Sequence, residues 1–417
     1  MRDDQLTNEA VYEQARADRL LWERKKATGL TRRQLLKLAA SGAATAAFGV
    51  HAGLGRPVHA MHTGSIVKPT PPNQFRILGT NAEMLWEVMA DQGYTVPNEL
   101  FFVRNHTRTP HIDMSTWRLR VDGPGVTQPL ELTYDDLLGL PAVTETKFIE
   151  CAGNGRSFYG TQQGTPAGGS QWRLGAIGVA DWTGVRLSTV LELAGLRATA
   201  VDVMPEGLDP TFVSGGVDLG HIRRPFSIEK ALEDDTLIVY QMNGTALPED
   251  HGFPVRMLVP GWVGIANIKW VGRIFVDEAP LFSPWNTTMY RLFGTAYPDQ
   301  PVLTEQEVKS AFELAWAATV PAGTYTLTGR SWSGHHKVEA VDVSFDGGAT
   351  WVPATLEQHN VPRAWRRWSV VWQAQVGQTT LMARATDKKG HAQPASVPFN
   401  TMGYLFWAVA QHPVTVV

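Results

Sequence analysis

Short apolar runs closed off by turn residues fill this chain from about residue 100 to its end, and no regular strand–helix–strand alternation joins them. Up to about residue 285 they read FFVRNH, WRLRVDG, TKFIECAG, ALEDDTLIVYQMNG, FPVRMLVPG and IKWVGRIFV. Two helical patterns sit among them, LTYDDLLGL (132–140) and RLSTVLELAGL (186–196), the second with a glycine near its end. That mixture predicts an α+β domain. Upstream, PTPPNQF is an extended Pro-rich stretch, and NAEMLWEVMADQG has a helical period that stops at Gly93. Beyond about 295 the period drops to two in YTLTGRSW, KVEAVDVSFDGGATW, RRWSVVWQAQV and TLMARATDKKG, with Asp346-Gly347-Gly348 as a hairpin turn. This predicts an antiparallel β-sandwich, immunoglobulin-like in size but without a cysteine pair. The expected organisation is a leader over 1–60, a catalytic domain over 61–294 and a sandwich over 295–417. The 39 glycines and 26 prolines suit so many turns.

The front of the chain reads differently. Arg32-Arg33 precede the mildly apolar LLKLAASGAATAAFGV (35–50), and Val58-His59-Ala60 has a small-x-small cleavage pattern. In that order these features read as a twin-arginine export signal, which places the protein in the periplasm. An amphipathic arm with its basic residues in water is the plainer alternative. No apolar stretch is long enough to span a membrane, so an integral membrane protein is not expected. Residues 1–60 hold ten of the 37 Lys/Arg and six of the 40 Asp/Glu. The remainder therefore carries 27 basic and 34 acidic residues, a net −7 that argues against nucleic acid as a partner.

An exported chain is free to use disulfides, yet Cys151 is the only cysteine. It sits in FIECAGNGRSFYG, among glycines and five residues ahead of Arg156. A guanidinium beside a thiol favours the thiolate, a soft metal ligand. Gly153 and Gly155 read as leaving room for a large planar ligand near the backbone. A lone cysteine is most often a small buried hydrophobe, which is the plainer reading of this segment alone. Arg104 and His106 in FVRNH suit an anion or the end of a strand. His251 and Arg256 in DHGFPVR suit two donors converging on an anion, or ordinary loop contacts. Lys269 in NIKW fits a phosphate contact or an exposed strand, and Asp209 a ligand amine or a turn before proline. C-x-x-C, H-E-x-x-H, G-x-S-x-G and P-loop motifs are absent.

Together and in order, FVRNH, CAGNGR, the MNG…DHGFPVR block and NIKW resemble the sulfite oxidase family of molybdopterin enzymes. The resemblance extends from about residue 75 through VDVSFDGGATW and VPRAWRRW to the terminal NTMG. It implies that Cys151 gives one thiolate to molybdenum and that a pyranopterin dithiolene supplies the other sulfurs. It implies cofactor contacts from Phe102, Val103, Arg104, Asn105, His106, Asp209, His251, Arg256, Asn267, Ile268 and Lys269. It implies that Arg104 and Arg156 line the oxyanion pocket beside the metal, while the Arg, His and Lys side chains neutralise the cofactor phosphate, to which a planar guanidinium fork directs its bonds. The reaction implied is oxidation of sulfite to sulfate by oxygen-atom transfer, one molybdenum per chain, in a homodimer built through the sandwich. No haem or flavin is expected. A haem domain precedes the molybdenum domain in animal members; here that stretch reads as export signal, so a separate carrier, a c-type cytochrome, is expected to take the electrons.

Two positions depart from the family pattern. Where the family has a pocket tyrosine, this chain reads DLGHIRRPFSIEKAL, with His221 or Ile222 nearest and His221 expected to act in its place. An arginine in the terminal segment is replaced by Met402. These departures leave open another sulfur oxyanion, or reduction of a sulfoxide or nitrate. A cofactor-free binding protein on the same fold is the remaining alternative. Arg363, Arg366 and Arg367 in VPRAWRRW read as a solvated strand face near a subunit contact, or a guide for an acidic partner.

Overall fold

The computed structural model describes residues 65–417, so the expected leader, with Arg32, Arg33 and Ala60, lies outside the described residues. Two sheets carry the first part of the chain. In one, Asp202–Gly207, Val271–Asp277 and Leu119–Asp122 are central, flanked by Phe226–Ser227 and Leu130–Leu132. The pair Val271–Asp277 and Leu119–Asp122 runs parallel. The other sheet is antiparallel and joins Leu237–Met242, Ile177–Arg186 and Ala142–Glu150. Thr245–Ala246 and Arg256–Leu258 pair with opposite ends of Leu237–Met242. LIVY, the first four residues of this strand, is a continuous apolar run rather than an alternation because the strand is buried on both faces there.

Both expected helices form but are short. Thr133 and Asp136 cap Tyr134–Leu138 reciprocally, and the second covers Leu187–Leu193. Helices contribute so little that the α+β expectation becomes a mostly β fold. The helix expected in NAEMLWEVMADQG is replaced by a strand, Asn81–Met84, and one 3-10 turn, Trp86–Met89. Pairing of Asn81–Met84 with Phe75–Leu78, and of Ala82 with Val103, outweighs its helical period.

Two further sheets form the C-terminal part. One orders Lys309–Phe312, Gly323–Trp332, Trp365–Ala374 and Thr355–Leu356. The other orders Ala318–Val320, His412–Val416, Gly377–Asp387, Val338–Ser344 and Val352–Pro353. Leu327, Trp368 and Trp372 from the first share a core with Val341, Leu381 and Val414 from the second, as alternation demands of two facing sheets. One pair, Ala318–Val320 with His412–Val416, is parallel, which corrects the purely antiparallel expectation. The turn at Asp346 is fixed by its carboxylate, which accepts the Thr350 N–H at 2.9 Å.

The arginines of VPRAWRRW are committed within the chain rather than offered to solvent. Arg363 pairs with Glu233 at 2.8 Å and Asp235 at 3.1 Å, across to the first part of the molecule. Arg366 donates to the Glu357 and Val338 carbonyls, and Arg367 pairs with Glu357.

Candidate active site

Cys151 follows directly on the strand Ala142–Glu150 and opens a tight turn. Its N–H donates to the Ala176 carbonyl at 2.9 Å, and its own carbonyl accepts the Asn154 N–H at 2.9 Å. The sulfur is buried, accepts the Gly153 N–H at 3.4 Å and is hydrogen-bonded by Arg104. It faces a cavity lined also by Phe102, Arg104, Asn105, His106, Asp209, His251, Arg256, Asn267, Ile268 and Lys269. Segments 165 residues apart in sequence, FVRNH and NIKW among them, thus meet around one thiol.

The cavity concentrates buried cations. Arg256 donates to the His251 carbonyl at 3.0 Å and the Asn267 carbonyl at 3.2 Å. Lys269 donates to the Asp250 carbonyl at 2.8 Å and to the Asn105 side chain. Burial, then the Arg256 charge, holds the Lys269 ammonium well below its ordinary range. Burial pulls Arg256 down to about 9. His106 and His251 are both pushed well down, first by burial and then by the neighbouring cations. His106 is therefore neutral, and its Nε2 accepts from Arg104 at 2.9 Å. His251 donates to the Asn98 carbonyl, which leaves its Nε2 as a bare acceptor. Asp209 Oδ1 is likewise buried without a partner, and burial lifts that carboxyl to about 6. Buried polar groups without partners are uncommon in a finished core, and of those among the described residues these two belong to side chains that line the cavity.

These features fit a molybdopterin. The unbalanced cations suit its phosphate, and the two orphaned acceptors suit N–H groups of a pterin. Among the described residues no cluster of three His, Cys, Asp or Glu side chains is arranged to hold a metal ion. A metal at Cys151 must therefore bring most of its ligands with it, as a dithiolene cofactor does.

Three expected site residues lie outside the lining. Val103 is fully buried in its bridge with Ala82. Arg156 donates to the Met402 carbonyl and the Ser170 carbonyl, each at 2.9 Å, and packs over Tyr404. Its guanidinium fills the space a side chain at Gly153 would need, at 2.7 Å, while Gly155 makes room for Phe406. The two glycines thus serve packing rather than a planar ligand. His221 turns its Nδ1 to the Asp209 carbonyl, and its neighbour Ile222 lines the cavity instead. Met402 is half-buried and also outside the lining.

The sequence reading missed Tyr290. Its hydroxyl stands 3.1 Å from His106 Nε2 and 3.4 Å from Arg104 Nη2, and its ring stacks on Tyr404 at 5.0 Å. Tyr290 and Trp270, both in the lining, adopt left-handed backbone with φ of 57° and 54°. Such strain at non-glycine residues, about 1–3 kcal/mol each, persists where the surroundings over-determine it and clusters at functional sites. Phe101 and Asp250 also line the cavity, inside motifs already singled out.

A thiol-bearing turn under a roof of unbalanced cations, followed by two facing sheets, defines a molybdopterin-type oxidoreductase with an appended β domain. Residues 106–285 match the oxidoreductase molybdopterin binding domain, and residues 298–414 the Mo-co oxidoreductase dimerisation domain. Human mitochondrial sulfite oxidase is 38% identical over 336 residues, 76% of this chain and 60% of the relative. Chicken sulfite oxidase is 38% identical over 337 residues, 76% of this chain and 72% of the relative. The sulfane dehydrogenase SoxCD of Paracoccus pantotrophus superposes with a TM-score of 0.69 at 27% identity, covering 86% of this chain and 92% of that one. The chain belongs to the sulfite oxidase family of molybdopterin oxidoreductases. It spans about 60% of the length of its mammalian relatives.

Proposed function

We propose that this chain is a molybdenum-dependent oxidoreductase that oxidises sulfite to sulfate. The observation that carries this reading is a lone thiol facing a cavity whose buried cations exceed its anions. When bound, the cofactor supplies two-electron redox chemistry, in which sulfite and water give sulfate, two protons and two electrons. Cys151 would give the metal its one protein thiolate. Arg256 and Lys269 would hold the phosphate, and Asp209 and His251 would accept from the pterin. Arg104 is the cation beside the thiol, so it would orient the substrate anion and stabilise charge as it moves. Tyr290 would donate its hydroxyl hydrogen to the same anion, while neutral His106 accepts from Arg104 and keeps that guanidinium in place. Arg156 acts from behind, tying the Cys151 turn to the Met402 segment.

Several wider expectations belong to this reading. The front of the chain would be a twin-arginine export signal, and the enzyme would work in the periplasm as a homodimer through its 298–414 domain. Among the described residues no helix is long and apolar enough to cross a membrane. Electrons would pass singly to a c-type cytochrome, with no haem or flavin in the chain itself. The size and two-sheet packing of the C-terminal part support the immunoglobulin-like description. A second reading takes a sulfane sulfur as substrate, as the name of the Paracoccus relative has it for that protein. Ile222, apolar where the family pattern has a tyrosine, favours it.

The test is cytochrome c reduction by the purified protein on addition of sulfite. Turnover that disappears in Cys151→Ser supports the first reading. Turnover with thiosulfate or a persulfide but none with sulfite moves the assignment to the second.

A further inference from the structure

The C-terminal domain reaches the metal-binding turn through a buried ion pair. Ile149 and Cys151 both line the cavity, so Glu150 between them points the opposite way, as strand alternation requires. Glu150 is fully buried, and both of its carboxylate oxygens and its carbonyl accept hydrogen bonds. Its Oε1 accepts from Lys309 Nζ at 2.7 Å and Asn154 Nδ2 at 2.8 Å. Its Oε2 accepts from Trp332 Nε1 at 2.9 Å, and its carbonyl from Gln306 Nε2 at 2.7 Å. Lys309, Trp332 and Gln306 are themselves buried, at 1%, 0% and 0% exposure, and all three belong to the stretch matched as a dimerisation domain. Lys309 also reaches the Asn154 carbonyl at 3.4 Å, and Asn154 closes the Cys151 turn through its N–H. One lysine from the second domain thus grips both ends of the turn that presents the thiol.

We infer that the Glu150–Lys309 pair is a positioning device, by which the C-terminal domain fixes where Cys151 Sγ stands in the cavity. Its bearing on metal chemistry rests on the reading of Cys151 as the metal ligand. A buried, hydrogen-bonded ion pair favours one geometry, and removing one partner strands the other charge. The turn then has to rearrange around Glu150, and the thiol moves with it. A buried pair elsewhere on the same domain supplies the control. Arg330, two residues before Trp332 on the same strand, pairs with Glu313 and donates to the Tyr94 and Met89 carbonyls instead of to the Cys151 turn.

The experiment compares wild type with Lys309→Met, the milder Lys309→Gln, the double variant Glu150→Gln/Lys309→Gln, and Arg330→Met. Cys151 is the sole cysteine, so iodoacetamide alkylation of full-length chain produced without cofactor, below its melting range, reads this one thiol. Lys309→Met and Lys309→Gln are expected to alkylate at least about tenfold faster than wild type, because the turn opens locally. The double variant, which keeps a neutral hydrogen-bonded pair, is expected to fall back toward the wild-type rate. Arg330→Met is expected to melt lower yet alkylate at the wild-type rate. In metal-loaded protein the sulfur-to-metal absorption band is expected to shift in Lys309→Gln and to stay put in Arg330→Met. Wild-type alkylation rates in both Lys309 variants, equal acceleration in Arg330→Met, or no recovery in the double variant overturn the inference. Failure of wild type to take up metal sinks the proposed function and leaves the alkylation comparison standing.

Discussion

The molecule buries charge in two places, and the two are built on opposite rules. At the domain junction Glu150 meets Lys309 at 2.7 Å and Glu313 meets Arg330, each charge opposed and hydrogen-bonded. In the cavity Arg104, Arg256 and Lys269 face one another across neutral histidines, and burial drags Lys269 and Arg256 down. The first arrangement opposes each charge with its counter-charge, although Glu313 Oε2 keeps no hydrogen-bond partner. The second lowers the stability of the chain alone and becomes favourable once an anion enters, so it marks binding rather than folding.

The comparison is broken most sharply by removing one lysine from each place. Lys309→Met strands Glu150 and is expected to destabilise the protein by about 3–5 kcal/mol in denaturant unfolding. Lys269→Met in cofactor-free protein is expected to have the opposite sign, a gain in stability, because burial disfavours the Lys269 charge. The same substitution should weaken cofactor retention about tenfold or more, since a charge-assisted contact contributes about 1.5–3 kcal/mol.

The cavity side also predicts a pH dependence. Burial holds Lys68, whose backbone N–H donates to the cavity residue Asp250, down to about 7 from 10.5, and Lys269 is depressed in the same direction. Below about pH 7 the Lys68 ammonium is charged in both folded and unfolded chain, and the burial penalty is complete. Between about 7 and 10.5 the unfolded chain keeps the proton that the folded one has lost, so stability rises with pH. The slope is at most about 1.4 kcal/mol per pH unit for each such group. Melting temperature of the cofactor-free chain should therefore climb across this window, and bound cofactor should flatten the climb.

Smaller effects sharpen the contrast. Tyr290→Phe removes one hydroxyl hydrogen bond, about 0.5–1.5 kcal/mol, and is expected to raise KM about two- to tenfold with little change in stability. Arg363→Ala breaks a pair with Glu233 that stays partly in water and is expected to cost less than about 1 kcal/mol. A larger loss there would mean that junction charges matter even when wet.

How much of this was legible in the sequence follows the same division. Cys151, Arg104, His251, Arg256 and Lys269 stood out because their neighbours form ordered motifs, and the fold brings all of them to one cavity. Strands with a clear period, such as Trp365–Ala374, were equally plain. Tyr290 carried no signal: it lies in WNTTMYRLF, outside any motif, and reaches the cavity through a left-handed residue. Arg224, buried and donating to the Trp285 and Leu303 carbonyls, holds the flanks of that segment from far away in sequence. Gly153 and Gly155 misled because a small residue signals close approach without naming what approaches. Here it was Arg156 and Phe406. The Glu150–Lys309 pair was invisible because its partners lie 159 residues apart.

The central claim is that one sulfur of this chain binds a metal. Molybdenum K-edge X-ray absorption on the loaded wild type and on Cys151→Ser tests it most directly. The account predicts one molybdenum per chain, with one sulfur neighbour fewer in the variant. An identical sulfur shell in both proteins, or wild type without molybdenum, contradicts it.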